Sequence, residues 1–146
     1  LYIESMNKLN AEKRFFLDVN TFEFLMKNKK SEFYLAFSDN KLISFVCFLF
    51  DKSVSHYHLS ASSSLGRSLN ANYLLLYKAI MDSLNKDIKM IHYGGGLTNQ
   101  DKDPLFKFKS KFSNKFLDYK IGLSVHNKDL FEKLRDRNSD NILGLA

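Results

Sequence analysis

A chain of 146 residues with 45% hydrophobic and 14% aromatic content is long and apolar enough to fold as one domain with a full core, which excludes a disordered chain. Twenty-two basic against 16 acidic residues leave a formal charge of +6, which favours phosphate-bearing or nucleic-acid partners through long-range steering without establishing one. The single cysteine, Cys47, sits inside the apolar run Leu42 to Phe50 and excludes an intrachain disulfide, and no apolar run reaches the roughly 18 residues that a membrane span needs. These features lead to the expectation of a soluble, cytoplasmic protein in a reducing compartment.

From the N-terminus, Ile3 to Leu17 carries Met6, Leu9 and Phe16 between charges and predicts a helix, and Asn20 or Thr21 restarts a second one through Phe24, Leu25 and Met26. The chain begins on Leu1 inside this helical pattern, so a piece of a longer chain is expected. Phe33, Leu35 and Phe37 alternate as a strand, Ser38, Asp39 and Asn40 make a turn, and Lys41 to Phe50 is apolar on both faces, as in a central strand. After a turn at Asp51 to Ser53, a third strand runs from Val54 to Ala61, with His56 and His58 on one face and Tyr57, Leu59 and Ala61 on the other.

Ser62 to Asn72 is a polar crossover. It leads into a helix from Tyr73 to Leu84, interrupted only by Lys78, Asp82 and Ser83 and therefore expected to be buried on most sides. Ile88 to Tyr93 reads as a strand parallel to the third, because a helical crossover separates them. Asp103 caps a helix with Pro104 at its first position. On its wheel Leu105, Phe108 and Phe112 form an apolar stripe, Lys107 and Lys111 turn away, and Lys109 falls on the stripe's edge, where its ammonium either snorkels outward or stays partly desolvated against a partner. Phe116 to Val125 alternates as a fifth strand. Asn127 caps a last helix through Leu134, and the tail from Asn138 looks frayed. The expected architecture is a mixed α/β (α+β) sheet in the order α-α-β-β-β-α-β-α-β-α, with helices on both faces, as one domain over residues 1–146.

Gly94, Gly95 and Gly96 follow the fourth strand. Consecutive glycines leave backbone N–H groups without side-chain cover and allow positive φ, so a ligand or reacting carbonyl can approach the main chain. They are read as substrate-binding, together with Phe106 and Lys107, and are expected to converge with Lys109 on one cleft beside the sheet.

The element order, with a polar loop between the third strand and a buried helix, resembles the GNAT acyltransferase fold. Tyr2, Met6, Ala11, Phe15 and Phe16, Tyr57-His58-Leu59-Ser60, Asn70 to Tyr77, Gly94-Gly95-Gly96, and Leu105-Phe106-Lys107-Phe108-Lys109 with Phe112 narrow it. They are similar to the C-terminal GNAT domain of the Fem-type peptidoglycan-bridge transferases and the related FemAB-like proteins. That resemblance implies amide-bond formation between an activated acyl or aminoacyl donor and a primary amine, in the Fem group between aminoacyl-tRNA and a cell-wall precursor. Acetyl-CoA is the donor elsewhere in the superfamily, and an amino-sugar or other small amine the acceptor. The resemblance also implies a second, N-terminal GNAT-like domain in the full-length chain. Where acetyl-CoA enzymes carry a glycine-rich pyrophosphate loop, this chain has Leu65-Gly66-Arg67-Ser68-Leu69-Asn70-Ala71-Asn72, with one glycine. Gly66, Arg67, Asn70, Ala71, Asn72 and Phe108 are its candidate donor-binding residues.

Acyl transfer to an amine needs a neutral nucleophile, stabilisation of the developing oxyanion and a route for the proton. Lys109 is the candidate for the negative charge, one of His56 and His58 for the proton, with His58 taken as the site residue, and Tyr93 either contributes a hydroxyl or anchors the strand end. His92 has a claim similar to that of His58. Phe106 and Phe108 either stack on a nucleotide base or pack in the core. No Cys, Asp or Glu joins His56 and His58 at metal-ligand spacing, so no metal site is expected. The pairs Asp101 with Asp103 and Asp136 with Asp140 read as solvated loop and cap residues. No Gly-x-Ser-x-Gly elbow is present. A different class remains open, a domain without catalysis that holds tRNA through Lys107, Lys109 and Lys111 or supports a partner domain.

Overall fold

The computed structural model describes residues 1–98, 100 and 102–137. The chain divides into two compact units, Leu1–Phe112 and Ser113–Ala146. In the first, the elements run α1 (Tyr2–Lys8), a 3-10 turn (Lys13–Phe15), α2 (Val19–Lys27), β1 (Ser31–Ser38), β2 (Lys41–Asp51), β3 (Val54–Ser62), α3 (Ser64–Ser68), α4 (Ala71–Asn85), β4 (Met90–His92) and α5 (Pro104–Lys109), which ends in a second 3-10 turn (Ser110–Phe112). The sheet order is β1-β2-β3-β4, with β1, β2 and β3 antiparallel and β4 parallel to β3. Asp39 and Asn40, at φ +49° and +62°, make the two-residue turn that suits a twisted hairpin.

The opening helix is shorter than the expected span from Ile3 to Leu17. Asn10 takes a left-handed φ of +48° and ends α1, and Asp18 caps α2 by accepting from Thr21 N at 2.8 Å. Both stop signals stand in the sequence, but the apolar residues beyond Asn10 mask them. The polar crossover also contains α3, and β4 is half the length expected.

Alternation along β2 divides the core. Phe45 faces α1 and α2 in an aromatic group with Tyr2, Phe22 and Phe33, at centroid distances of 5.1 to 6.4 Å. Val46 and Phe48 face α4 and pack with Tyr34, Tyr57, Leu75, Leu76 and Ala79. Helices therefore cover both faces of this sheet. α4 was expected to be buried on most sides. Its Leu75, Leu76, Ala79 and Ser83 are buried, while Leu74, Tyr77 and Leu84 stay exposed, because the sheet covers one stripe only.

β3 departs from simple alternation as well. Cys47 pairs with Leu59 and Phe48 with Tyr57, so His58 is the extra residue of a β-bulge. Tyr57 therefore points to the α4 face, while Leu59 and Ala61 share the opposite face with Cys47 and Phe45. The bulge reverses the face assignment expected from period two.

In the second unit, the described part of the chain has no regular secondary structure from Ser113 to Asn127 and then forms α6 (Lys128–Arg137), where Asn127 Oδ1 accepts from Leu130 N at 2.9 Å. The expected fifth strand, Phe116 to Val125, is absent among the described residues. Leu117 and Tyr119 are 90% and 88% exposed, and alternation without a pairing neighbour forms no ladder. Asp101, Asp140, the Asp136 side chain and the tail from Asn138 lie outside the described residues.

Candidate active site

Strands β3 and β4 share a ladder of only three pairs, Val54 with Met90, Ser55 with Ile91 and His56 with His92. Beyond it β3 continues to Ser62, while the other chain turns off through Tyr93 into the glycines. The two strands splay. Among the described residues the β3 edge from Tyr57 onward has no ladder partner on that side, so its backbone groups are left without strand pairing there.

Lys109 approaches this edge from α5. Its Nζ donates to Gly95 O at 2.8 Å and lies 5.6 Å from the Tyr57 ring centroid. Burial lowers the Lys109 pKa from the ordinary lysine value, opposed in part by the Asp103 carboxylate. An ammonium with one N–H used by a carbonyl keeps further donors for a negatively charged oxygen. The expected convergence of Lys109 with the glycines is thus present.

Two of the three glycines answer to the fold as well. Gly94 has φ +71°, and a Cβ on Gly96 would lie 2.6 to 2.9 Å from the Asp103 carboxylate. Gly95 alone has open space around it. Asp103 was expected to be a solvated cap, but it is only 4% exposed. Its Oδ1 accepts from Phe106 N at 2.8 Å and its Oδ2 from Leu97 N and Thr98 N at 2.7 and 2.8 Å, so one carboxylate caps α5 and holds the loop beyond the glycines. Those hydrogen bonds, led by the Phe106 amide, hold its pKa down to about 2.

The aromatic residues of α5 and its 3-10 turn serve packing. Phe108 meets Tyr73 edge-on at 5.0 Å and Phe112 at 5.6 Å, and Phe112 stacks on Tyr93 at 6.0 Å. Burial pushes the Tyr93 hydroxyl up to about 12, so at neutral pH it is a neutral group anchoring the end of β4. Lys111 does not turn away as the helical wheel implied. The 3-10 turn changes its phase, and its Nζ meets Tyr73 OH at 2.9 Å. Phe106 and Lys107 are exposed. Through Tyr73, in the first turn of α4, α5 abuts the start of the helix that follows the candidate donor loop.

That loop is tied to the sheet. Gly66 N donates to Ser63 Oγ at 3.0 Å, and a Cβ at Gly66 would come within 2.2 Å of Ile43 O, so this glycine permits close packing of α3 on β2. Arg67 donates one guanidinium N–H to Ser62 O at 2.8 Å and is otherwise exposed. Asn72 joins a group of hydroxyls: Ser44 Oγ lies 2.8 Å from its Oδ1 and 2.8 Å from Ser62 Oγ. Asn70 takes a left-handed φ of +54°, turning the chain into α4 at Ala71. Of the candidate donor residues, Asn70 and Ala71 stand where α4 begins, and Gly66 and Asn72 hold the loop in place.

The histidines lie on the other face. His56 pairs with His92 as the last rung, with Nδ1 atoms 2.9 Å apart and rings stacked at 5.0 Å. His58, on the bulge, is exposed, and its ring centroid is 6.0 Å from that of His56. Burial lowers the pKa of His58, and burial, then His92, lowers that of His56. Among the described residues no group of three or more His, Cys, Asp or Glu side chains is arranged to hold a metal ion. Tyr57, the second function of Asp103 and the His56–His92 bond escaped the sequence reading. The bulge that creates the first of these leaves no residue-type signal, while Asp103 seven residues after Gly96 was visible but read only as a cap.

No protein-family model matches the chain, and no curated protein is similar enough in sequence to count as a relative. Solved structures do resemble it. A transcriptional regulator from Bacillus halodurans C-125 is 17% identical with a TM-score of 0.55, over 82% of this chain and 79% of that one. An aminoglycoside acetyltransferase from an uncultured soil metagenomic sample, solved in complex with trehalose, is 11% identical with a TM-score of 0.57, over 84% of this chain and 86% of that one. At such identities the likeness speaks to the fold, and the fold is a GNAT-like mixed α/β fold.

Proposed function

We propose that this chain is an N-acyltransferase of FemAB-like type, joining an activated acyl or aminoacyl group to a primary amine on a cell-wall or envelope precursor. The observation that carries the reading is the meeting of a half-buried ammonium, Lys109, with the exposed main chain of Gly94 and Gly95 at the mouth of the β3–β4 splay. The GNAT-like fold supports it. The donor carbonyl enters the splay beside Lys109, whose free N–H groups hydrogen-bond the oxygen as it becomes negative. The amine nitrogen attacks the carbonyl carbon and forms the C–N bond. The bond from that carbon to the donor's oxygen or sulfur breaks, and one nitrogen proton leaves with that atom.

The nature of the donor divides this reading. An aminoacyl-tRNA is favoured by the single glycine of the candidate donor loop, whose amide is engaged by Ser63 and whose Cα packs against Ile43 O instead of opening toward a pyrophosphate. The alternative, an acetyl-CoA-dependent N-acetyltransferase of a small amine or amino-sugar, is favoured by the fold of the aminoglycoside acetyltransferase. Calorimetry with CoA separates them, since tight binding selects the second.

Replacing Lys109 by Met keeps the side chain's length and apolar contacts and removes the charge. Transfer from the active donor should fall about 100-fold in kcat, the size of one lost oxyanion donor, with an unchanged melting transition. Full activity in Lys109→Met would refute the reading.

A further inference from the structure

The splay begins at a hydrogen bond between two imidazoles. A bond between ring nitrogens needs one N–H and one lone pair, so of His56 and His92 one ring donates from Nδ1 and keeps its lone pair at Nε2. The other accepts at Nδ1 and carries its proton at Nε2. Such a pair takes up one proton, at the free Nε2, and the bond between the rings survives with charge assistance. A second proton sets N–H against N–H and breaks the rung. Geometry alone therefore makes the two histidines a one-proton unit.

The location gives that unit a use. His56 pairs with Leu49 across the sheet, and its neighbours Ser55 and Tyr57 pair with Phe50 and Phe48, so the histidines lie on the face opposite α4. Lys109 packs on Tyr57 from the α4 face. An amine attacks the carbonyl carbon across the carbonyl plane rather than along the C=O bond, so it can reach that carbon from a direction other than the one in which the oxygen's donors lie. His56 also walls a cavity of about 340 Å³ shared with Leu49, Lys30 and Asp51.

We propose that the His56–His92 pair accepts the proton that an acceptor ammonium must lose before it attacks, which assigns the acceptor to the class of basic alkyl amines. This rests on the acyltransferase reading above. R–NH3+ gives one proton to the free Nε2 and becomes R–NH2, the nitrogen attacks as described, and the imidazolium then releases its proton to water at the exposed His92. The titratable and charged groups around the pair are His58 on β3, Lys30 and Asp51, which line the same cavity as His56, and Lys109 on α5, whose charge reaches His56 from the other face of the sheet. Burial and the neighbouring positive charges keep His56 neutral, and so ready to accept, at lower pH than an ordinary histidine.

The test compares unaltered protein with His56→Asn, which can still hydrogen-bond His92 Nδ1 but cannot titrate, and with His56→Ala. Donor probes are acetyl-CoA and alanyl-tRNA. Acceptor probes are a lysine peptide, charged at pH 7, and a peptide hydrazide, neutral at pH 7. Both variants should lose about 100-fold in kcat/KM with the lysine peptide, within the range for general-base catalysis, and little with the hydrazide. The loss should shrink as the pH rises and the lysine deprotonates unaided. Equal losses with both acceptors, or full activity in His56→Asn with the lysine peptide, overturn the proposal while sparing the parent reading. No transfer by the unaltered protein from either donor overturns both.

Discussion

β3 has a different neighbour on each side, held by different physics. Toward β2, register pairs run from Ser44 with Ser62 to Asp51 with Val54, and the fully buried Val46, Cys47 and Phe48 stand at the middle of the ladder. Toward β4 there are three pairs, the last joined by the His56–His92 bond, and beyond them the apolar packing of Tyr93, Phe108 and Phe112 is supplemented by directed polar contacts: Asp103 to the Leu97, Thr98 and Phe106 amides, and Lys109 to Gly95 O. Apolar burial is non-directional and indifferent to pH, whereas hydrogen bonds to ionised groups depend on geometry and charge. The candidate site lies on the second side, where a small change in charge or position alters the structure without unfolding the sheet.

The largest expected effect breaks the first side. Phe48 is wholly buried between Tyr34, Phe50 and Tyr57, and Phe48→Ala should cost about 3–5 kcal/mol. A urea midpoint shift gives the value, and a loss under about 1 kcal/mol would mean that the sheet does not depend on this layer. A smaller effect is expected on the second side. Gly96→Ala places a methyl group against the Asp103 carboxylate and should cost about 1–3 kcal/mol. The loss should be local, read as faster hydrogen exchange at Leu97 and Thr98 with β1–β3 amides unchanged, while Gly95→Ala, with nothing within 4 Å, is the neutral control. Equal loss of protection throughout the sheet after Gly96→Ala would erase the distinction between the sides.

The same division governs what the sequence made legible. Period-two alternation and a double-sided apolar run announce β1 and β2, and Asp103-Pro104 announces α5, because these are local signals read over a few residues. The parallel pairing of β4 followed from the crossover helix. The meeting of Lys109 with Gly95 was expected from the resemblance that set the glycines beside α5, while the wheel placed Lys109 only at the edge of its own helix's apolar stripe. What stayed hidden was set by non-local geometry. An extra residue at His58 turns Tyr57 under Lys109, the 3-10 turn swings Lys111 onto Tyr73, and no residue type signals either event. Phe116 to Val125 shows the converse: its alternation is as clean as that of β1, yet a strand exists only where another backbone accepts its hydrogen bonds.

Asp103 allows the finest separation of the two sides, since its effect is confined to one charge. Its folded-state pKa is held down to about 2, below the roughly 3.9 of an unfolded aspartate. A depressed carboxylate contributes stability that is complete above the unfolded value and is lost as the pH falls through the folded one. Protection of the Leu97 and Thr98 amides should therefore be flat above about pH 4 and decline toward pH 2. Asp103→Asn keeps one acceptor oxygen and the shape of the cap but cannot titrate. It should start with weaker protection at pH 6 and show no step of its own between pH 4 and 2. Other carboxylates with lowered pKa values, Glu4, Asp18 and Asp51, titrate identically in both proteins, so the difference between the two profiles isolates this group. Parallel acid profiles in the two proteins would mean that the glycine loop is held by something other than the Asp103 charge, and the polar side of β3 would lose its principal tie.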